Sequence, residues 1–289
     1  MERIDFAVLG GSGFYEMPGL TDIRDAPVDT PFGATSDTIR IGTLEGRRVA
    51  FLSRHGKGHR LLPSELPQRA NFWALKSLGV DRVLAISAVG SLQEGCHPGD
   101  LVVVDQFIDR TRGARASTYF GDGVVAHVGF ADPVCRVLRA TAISAATAAG
   151  ARVIDRGTYV CIEGPAFGTR AESTLYRSWG ASVVGMTALP EAKLAREAEI
   201  CYAVVAAVTD YDSWHDEHEA VDAASVFAVL QQNVATSVEL IRRFATGLEG
   251  SRQCGCGFAL DSGLVTDPAA IAPNAKARLD PILARRLST

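Results

Sequence analysis

The stretch YAVVAAVTDYDSW, residues 202–214, indicates both the fold class and the position of a site. Its first seven residues are apolar or aromatic without alternation, which is typical of a strand covered on both faces. Two aspartates, Asp210 and Asp212, follow at a spacing of two. Because residues two apart in a strand share a face, we expect both carboxyl groups to aim into one space. Two like charges held that close resist ionising together, so one carboxyl tends to keep its proton.

Strand patterns alternate with helical patterns along the chain, which predicts an α/β fold with a sheet flanked by helices. Besides residues 202–208, strands are predicted at residues 6–9, 38–44, 48–52, 83–88, 101–104, 158–162 and 182–184. LEGRR at residues 44–48 predicts a hairpin turn. Helices are predicted from Asp132 to Ala149, from Thr169 to Trp179, from near Pro190, and from Asp222 to about Gly247. Thr169 and Glu172 have the spacing of a capping box.

Composition favours one soluble, cytoplasmic domain. The chain has 289 residues, 47% hydrophobic and 21% charged, with no leader-like start and no apolar run of membrane-spanning length. A net charge of −4 argues against nucleic acid or an anionic membrane as partner, so phosphate binding would need a local site. Residues 1–250 are predicted to form the domain. Residues 251–289, with little periodicity, are predicted to form a C-terminal extension that is partly disordered.

The six cysteines are too few for a disulfide scaffold. Cys96, Cys135, Cys161 and Cys201 each stand alone in regular segments. We therefore expect them to be small, buried, apolar residues in a reducing compartment.

Four predicted strand ends offer donors to a small anion. They are GGSG at residues 10–13, Arg54 with His55, Ser87 with Ala88, and Met186 with Thr187. Glycine-rich turns expose backbone N–H groups, and arginine presents a planar fork of donors. Each could also be a tight turn or a solvated loop. Because ligands of α/β sheets collect at strand ends, their coincidence predicts a phosphate site.

Metal chemistry is the rival interpretation for two stretches. In HDEH, His215 and His218 are three residues apart, without the four-residue spacing of a zinc-binding helix, so a solvated acidic loop is the simpler interpretation. Asp210 and Asp212 also resemble the paired aspartates of metal-dependent sugar transferases, but no further acidic cluster accompanies them. We predict no metal at the site.

Nine motifs together resemble the trimeric purine nucleoside phosphorylases. They are GGSG (10–13), DTPFG (29–33), RHG (54–56), AVGSL (88–92), PGDLVVVDQFIDRT (98–111), IEGPAF (162–167), RAES (170–173), GMTALPE (185–191) and TDYDSW (209–214). The resemblance runs from residue 10 to about residue 244. DQFIDRT and TDYD are specific to the branch that acts on 5′-methylthioadenosine. The resemblance implies a single-domain nucleoside phosphorylase fold with a twisted mixed sheet, and no metal or organic cofactor, since inorganic phosphate is a co-substrate.

The family reaction gives the paired aspartates a role. Phosphate attacks the anomeric carbon of the nucleoside while the purine leaves, and a donor at N7 offsets the charge that grows on the base. By the resemblance, Asp212 would donate to N7 of the base, and Asp210 would accept from its 6-amino group. The residues alone leave open which aspartate takes which part.

The resemblance also implies the other site residues. Phosphate would be held by Ser12, Arg54, His55, Ser87, Ala88 and Thr187. The nucleoside would contact Met186, Phe167, Gly168, Ala223, Val226 and Phe227 besides the two aspartates. His127 matches a histidine that family members lend to a neighbour's 5′ pocket. The resemblance therefore implies a homotrimer, or a dimer of trimers, with active sites at subunit interfaces.

Some positions depart from the family pattern. Ala166 and Gly168 replace larger or polar residues, and Ala223 stands where valine is usual. We expect a wider pocket that also admits adenosine or 5′-deoxyadenosine. Cys254 and Cys256 resemble a redox-type pair of some relatives, but a plain pair of surface thiols is the favoured interpretation.

Two alternatives to this activity remain. A 6-oxopurine nucleoside phosphorylase would act on inosine, guanosine or methylthioinosine, but an ionised Asp212 would repel the 6-oxygen. The second alternative is a purine-binding regulator without catalytic activity. The intact phosphate residues argue against it, because a base binder has no need of them.

Overall fold

The computed structural model describes residues 3–11, 17–113, 115–215 and 223–287, without the side chains of residues 223–228 and 230–233. Within these residues, eleven strands form one mixed sheet. They are β1 (Phe6–Gly10), β2 (Thr21–Ala26), β3 (Ile39–Leu44), β4 (Arg47–Ser53), β5 (Arg82–Ser91), β6 (Leu101–Val103), β7 (Gln106–Arg110), β8 (Val153–Asp155), β9 (Thr158–Ile162), β10 (Val183–Gly185) and β11 (Cys201–Tyr211).

Strand β5 is the centre of the sheet and opens the space for a ligand. One edge of β5 pairs in parallel with β11 along its whole length. The other edge pairs with β1 as far as Ala85 and with β10 from Gly90 onward. Between these partners, residues 86–89 line a cavity. The cavity therefore lies where β1 and β4 end and β10 has not yet joined the sheet.

Helices cover both faces of the sheet. They are α1 (Gln68–Ser77), α2 (Arg136–Ala148), α3 (Arg170–Ser178), α4 (Ala188–Glu197), α5 (Ala223–Gly247), α6 (Pro273–Arg278) and α7 (Asp280–Leu287). On one face α1 packs against α4 and brings Phe72 into the core. On the other face α2 packs against α5, which joins Leu138 to Phe244. These two apolar layers explain why the central strands are hydrophobic without alternation.

The eight strands predicted from the sequence are all present, with ends that differ by three residues or fewer. The hairpin is also confirmed, because Leu44 lies opposite Arg47 in an antiparallel pair. Three strands were missed. Strand β2 is charged and largely exposed, β7 is polar, and β8 has three residues, so none has a clear hydrophobic period.

The helix starts were predicted with mixed success. The capping box of α3 is confirmed, with Thr169 and Glu172 bonding each other's backbone. The start of α2 was wrong: Cys135 is its N-cap, its sulfur accepting from the N–H of Leu138, and Asp132 lies outside the helix. Asp222 lies outside the described residues. The sequence also missed α1.

The segment after α5, set apart by its composition, packs onto the rest of the domain. Ile282 and Leu283 of α7 are buried in the same core as α1 and α4. The indole N–H of Trp73 donates to the carbonyl oxygen of Arg278 at 3.0 Å. Residues of this segment thus contact parts of the chain that are distant in sequence, which periodicity does not register. In the part of the chain that the structure describes, the helices are too short or too polar to cross a membrane.

Candidate active site

A cavity of about 330 Å³ lies at the carboxyl ends of the central parallel strands. The end of β5, the loop after β4, the end of β10 and the end of β11 enclose it, and α5 reaches it through Val234 and Ser237. A volume of this size suits a small organic molecule. Such a molecule would touch several strand ends at once, as is usual in open α/β sheets.

Asp210 and Asp212 form one end of the cavity and lie together against Gly90 of β5. A Cβ at Gly90 would meet Asp210 Oδ1 at 2.9 Å and the Cβ of Asp212 at 3.1 Å. A register shift between Val208 and Asp210 turns the strand just before the pair. Asp212 is buried, and among the described residues its Oδ2 has no hydrogen-bond partner. That oxygen is available to a ligand.

Burial shapes the protonation of both aspartates. Burial raises the pKa of Asp210 to about 6. The hydroxyl of Thr209 donates to Oδ2 of Asp210 at 2.6 Å and opposes this shift in part, whereas the charge of Asp212 adds to it. Burial also raises the pKa of Asp212, although the nearby hydroxyl of Ser173 and the backbone of Ser213 lower it in part. The pair therefore holds a proton to a higher pH than exposed aspartates do, as two neighbouring carboxyl groups should. Such a pair can offer an acceptor and a donor to one ligand.

Hydroxyl groups gather at the opposite end. Ser87 Oγ lies 3.1 Å from the hydroxyl of Tyr159 and 3.4 Å from Thr187 Oγ1. Thr187 precedes α4 and its side chain makes no capping bond, while the extended backbone of Leu189 delays the regular helix until after that residue. Hydroxyl groups can donate hydrogen bonds to the oxygens of an anion. This end of the cavity is therefore suited to phosphate.

Arg54 is buried beside this end and is held by Glu191 of α4. The guanidinium pairs with both carboxylate oxygens of Glu191 and donates to the carbonyl oxygens of Ile86 at 2.9 Å and Leu9 at 3.3 Å. Burial opposes its charge, but the carboxylate of Glu191 raises the pKa of Arg54 overall. Four of its five N–H groups are used by the protein. One N–H of a fixed cation remains for a ligand.

His55 is an acceptor rather than the donor that the sequence suggested. Its Nδ1 lies 2.8 Å from the carbonyl oxygen of Leu61, which can only accept, so Nδ1 carries the hydrogen. Burial lowers the pKa of His55 to about 4. The bond to Leu61 opposes this shift, and the charge of Arg54 adds to it. At neutral pH the ring is uncharged and Nε2 is a lone-pair acceptor. It can bond the O–H of a monoprotonated phosphate, but not an unprotonated oxygen.

The wall between the two ends is apolar. Met186 and Phe167 line it, and Phe167 is 42% exposed at the mouth. A Cβ at Gly168 would lie 3.8 Å from Asp212 Oδ2, and the carbonyl of Gly168 accepts from the hydroxyl of Ser213 at 2.8 Å. A flat ring inserted between Phe167 and the aspartates would meet no polar side chain at position 168.

The structure brings most of the residues predicted for the site into this cavity. Its lining includes Arg54, His55, Ser87, Ala88, Phe167, Gly168, Met186, Thr187, Asp210 and Asp212. Ser12 lies outside the described residues, as do the side chains of Ala223, Val226 and Phe227, although α5 itself reaches the cavity. His127 is exposed and does not line the cavity of its own chain.

Sequence reasoning missed the residues that hold these groups in place. Glu191 is fully buried and accepts from the hydroxyl of Tyr202 at 2.8 Å as well as from Arg54. An acidic residue in the otherwise apolar stretch GMTALPEA was a usable signal, because a buried carboxylate needs a cation. Tyr159 and Gly90 gave no such signal. Their roles depend on strand pairings that the sequence does not specify.

The chain matches the phosphorylase superfamily over residues 5–246, and it belongs to that family. It is 55% identical to S-methyl-5′-thioadenosine phosphorylase of Geobacter sulfurreducens, over 98% of this chain and 99% of that protein. The Koribacter versatilis protein of the same name is 50% identical, over 98% and 97% of the two chains.

Solved structures agree with these relatives. A methylthioadenosine phosphorylase from an antarctic soil metagenomic library superposes with a TM-score of 0.92 at 48% identity, over 98% of this chain and 100% of that one. A variant adenosine/methylthioadenosine phosphorylase of Schistosoma mansoni, in complex with methylthioadenosine, gives 0.83 at 32% identity, over 98% of both chains. The predicted family and its α/β fold are confirmed.

Proposed function

We propose that this protein catalyses the phosphorolysis of 5′-methylthioadenosine to adenine and 5-methylthioribose 1-phosphate. One observation carries the proposal: within the described residues, a single cavity has an aspartate pair with an unpaired buried oxygen at one end and the hydroxyls of Ser87 and Thr187 at the other. The first end suits a 6-aminopurine and the second suits phosphate. The named relatives, 50% and 55% identical over nearly the whole chain, support the same reaction.

The base end supplies the proton. Adenine presents an acceptor at N7 next to a donor, the 6-amino group. Protonated Asp212 donates to N7 while the bond from C1′ to N9 breaks, which neutralises the charge growing on the base. Ionised Asp210 accepts from the 6-amino group. Burial, which raises the pKa of Asp212, favours the protonated form of its carboxyl group.

The phosphate end orients the nucleophile. The hydroxyls of Ser87 and Thr187 donate to phosphate oxygens, and Arg54 adds its remaining N–H. Neutral His55 accepts the phosphate O–H, so an unprotonated oxygen is left to attack C1′. The new C1′–O bond forms as the purine leaves with its electron pair and the proton from Asp212. Positioning of this kind accounts for much of the rate in transfer reactions.

The apolar wall sets the range of substrates. Gly168 adds no polar contact at the base, so we expect adenosine and 5′-deoxyadenosine to react besides 5′-methylthioadenosine. The proposed chemistry uses no metal and no organic cofactor, because phosphate itself is the second substrate. Assembly as a homotrimer or a dimer of trimers, completed by His127 of a neighbour, belongs to the proposal, as does a cytoplasmic location. The exposure of His127 on the single chain is compatible with that assembly.

One assay tests the proposal. Release of free base is measured with and without inorganic phosphate for 5′-methylthioadenosine, adenosine, methylthioinosine and inosine. We expect release only with phosphate, fastest from 5′-methylthioadenosine and measurable from adenosine. Faster release from the two 6-oxopurine nucleosides would contradict the assignment of the aspartates, and no release from any of the four would contradict the proposed reaction.

A further inference from the structure

Four cysteines from three segments that are distant in sequence meet at the start of β11, whereas the two aspartates lie at its end. The sulfur atoms of Cys135, Cys201, Cys254 and Cys256 all lie within 4.8 Å of one another. Cys135 and Cys201 are buried, while the other two are half-buried, and all four are free thiols. Cys135 and Cys201 are buried, as the sequence predicted, but the prediction did not include their meeting with two further cysteines. Their convergence is visible only once α2, β11 and the segment after α5 are folded together.

The arrangement has the form of a single four-sulfur site. A tetrahedral zinc ion with bonds of about 2.3 Å separates its sulfurs by about 3.8 Å. The sulfur atoms of Cys201 and Cys254 lie 3.3 Å apart. Two disulfides would need each sulfur to select one partner at about 2.05 Å. Here every sulfur is near the three others, which is the requirement of one central ion.

The surroundings suit a closed metal site that carries negative charge. Four thiolates around Zn²⁺ leave a formal charge of −2, and Arg82 and Arg252 line the same small cavity as Cys135, Cys201 and Cys254. The N–H of Leu138 points at the Cys135 sulfur over 3.5 Å. Such donors to metal-bound sulfur orient the ligand and offset its charge. The partial exposure of Cys254 and Cys256 gives an ion a way in.

We propose that Cys135, Cys201, Cys254 and Cys256 bind one structural zinc ion. Four thiolates form the donor set that favours zinc or iron in tetrahedral geometry, and four protein ligands leave no open position for catalysis. Asp210 lies nine residue steps after Cys201 along β11, about 30 Å at the usual rise of a strand. The ion therefore has a structural role: it ties the start of α2 and the start of β11 to the segment that leads into α6 and α7.

Metal analysis tests the site directly. The full chain is produced in zinc-supplemented medium and purified with a reducing agent and without chelators, and its metals are measured by mass spectrometry. We expect about one zinc per chain. Cys135→Ser and Cys256→Ser should each reduce the zinc content at least tenfold. Cys96→Ser is the matched control, because Cys96 is buried and lies outside the cluster.

A second measurement covers variants that fail to fold. Wild-type protein stripped of metal under reducing conditions and loaded with Co²⁺ should show the visible bands of tetrahedral cobalt–thiolate coordination. Zinc-free wild-type protein that takes up neither ion overturns the proposal. So does bound iron in place of zinc, or an intact mass lowered by the loss of thiol hydrogens, which would indicate disulfides. An unchanged zinc content in both cluster variants also overturns it.

Discussion

A side chain at position 90 would collide with both catalytic candidates. Because its Cβ would fall 2.9 Å from Asp210 Oδ1 and 3.1 Å from Asp212 Cβ, Gly90→Ala must displace the pair. We expect kcat/KM for 5′-methylthioadenosine to fall by about a hundredfold, the usual effect of moving a reacting group by about 1 Å. Gly95→Ala is the control, since its Cβ would meet nothing within 4 Å. Equal kinetics for the two variants, with both folded, would contradict the role of Gly90.

Asp212→Asn tests the source of the proton. An asparagine amide can donate to N7 or to a 6-oxygen, but it cannot release a proton to the leaving base. We expect adenine release to fall by about 10²- to 10⁴-fold, the range usual for a lost general acid, while methylthioinosine becomes relatively preferred. Asp25→Asn, on the exposed strand β2, controls for the loss of one charge. Adenine release at the wild-type rate would remove Asp212 from the mechanism.

The pH profile reports on Asp210. Its pKa, raised by burial to about 6, leaves the carboxyl mostly neutral at pH 5 and ionised at pH 7. If the ionised form accepts from the 6-amino group, kcat/KM should rise with pH through about 6. The apparent value belongs to the aspartate pair. At each pH, kcat/KM of the wild type is divided by kcat/KM of Asp210→Asn, because the titration of phosphate affects both enzymes equally. A ratio that does not change with pH would show that Asp210 does not cause the rise.

Between elements, Glu191 connects the loop after β4 to α4 and β11. Its carboxylate is fully buried and bonds both Arg54 and Tyr202. Glu191→Gln would leave the buried guanidinium without a counter-charge, which costs about 3–5 kcal/mol in the free energy of unfolding. Denaturant unfolding measures the loss. Asp25→Ala, which breaks an exposed pair with Arg40, should cost at most about 1 kcal/mol, so similar losses would contradict this account.

The elements that the sequence predicted are those whose signal is local. Hydrophobic runs located the central strands, and the spacing of Thr169 and Glu172 gave the start of α3. The strand ends also located most of the cavity, because parallel strands present their carboxyl ends together. What the sequence could not give depends on pairing between distant segments. Three features depend on such pairing. They are the close approach of Gly90 to the two aspartates, the ion pair between Glu191 and Arg54, and the four-cysteine cluster.

At the scale of the whole molecule, the proposed sharing of His127 between subunits can be tested. It is exposed and absent from the cavity of its own chain, and its backbone N–H donates to the carbonyl oxygen of Gly263 at 2.7 Å. If a neighbour's His127 completes each site, the isolated subunit should be nearly inactive and the active form should be a closed ring, most simply a trimer. Light scattering with activity measured across the same elution peak checks this, and a fully active monomer would remove His127 from the site.

Mixed assemblies separate shared sites from a merely stable oligomer. His127→Ala and Asp212→Asn chains should each form assemblies with little activity, because every site lacks one group. After unfolding and refolding together, a chain that keeps Asp212 can receive His127 from a neighbour. In randomly mixed rings of equal composition, about a quarter of the sites combine both intact groups, so activity should recover to about a quarter of the wild-type value. Refolding each variant alone is the control. If the mixture is no more active than the mean of its components, each chain carries a complete site of its own.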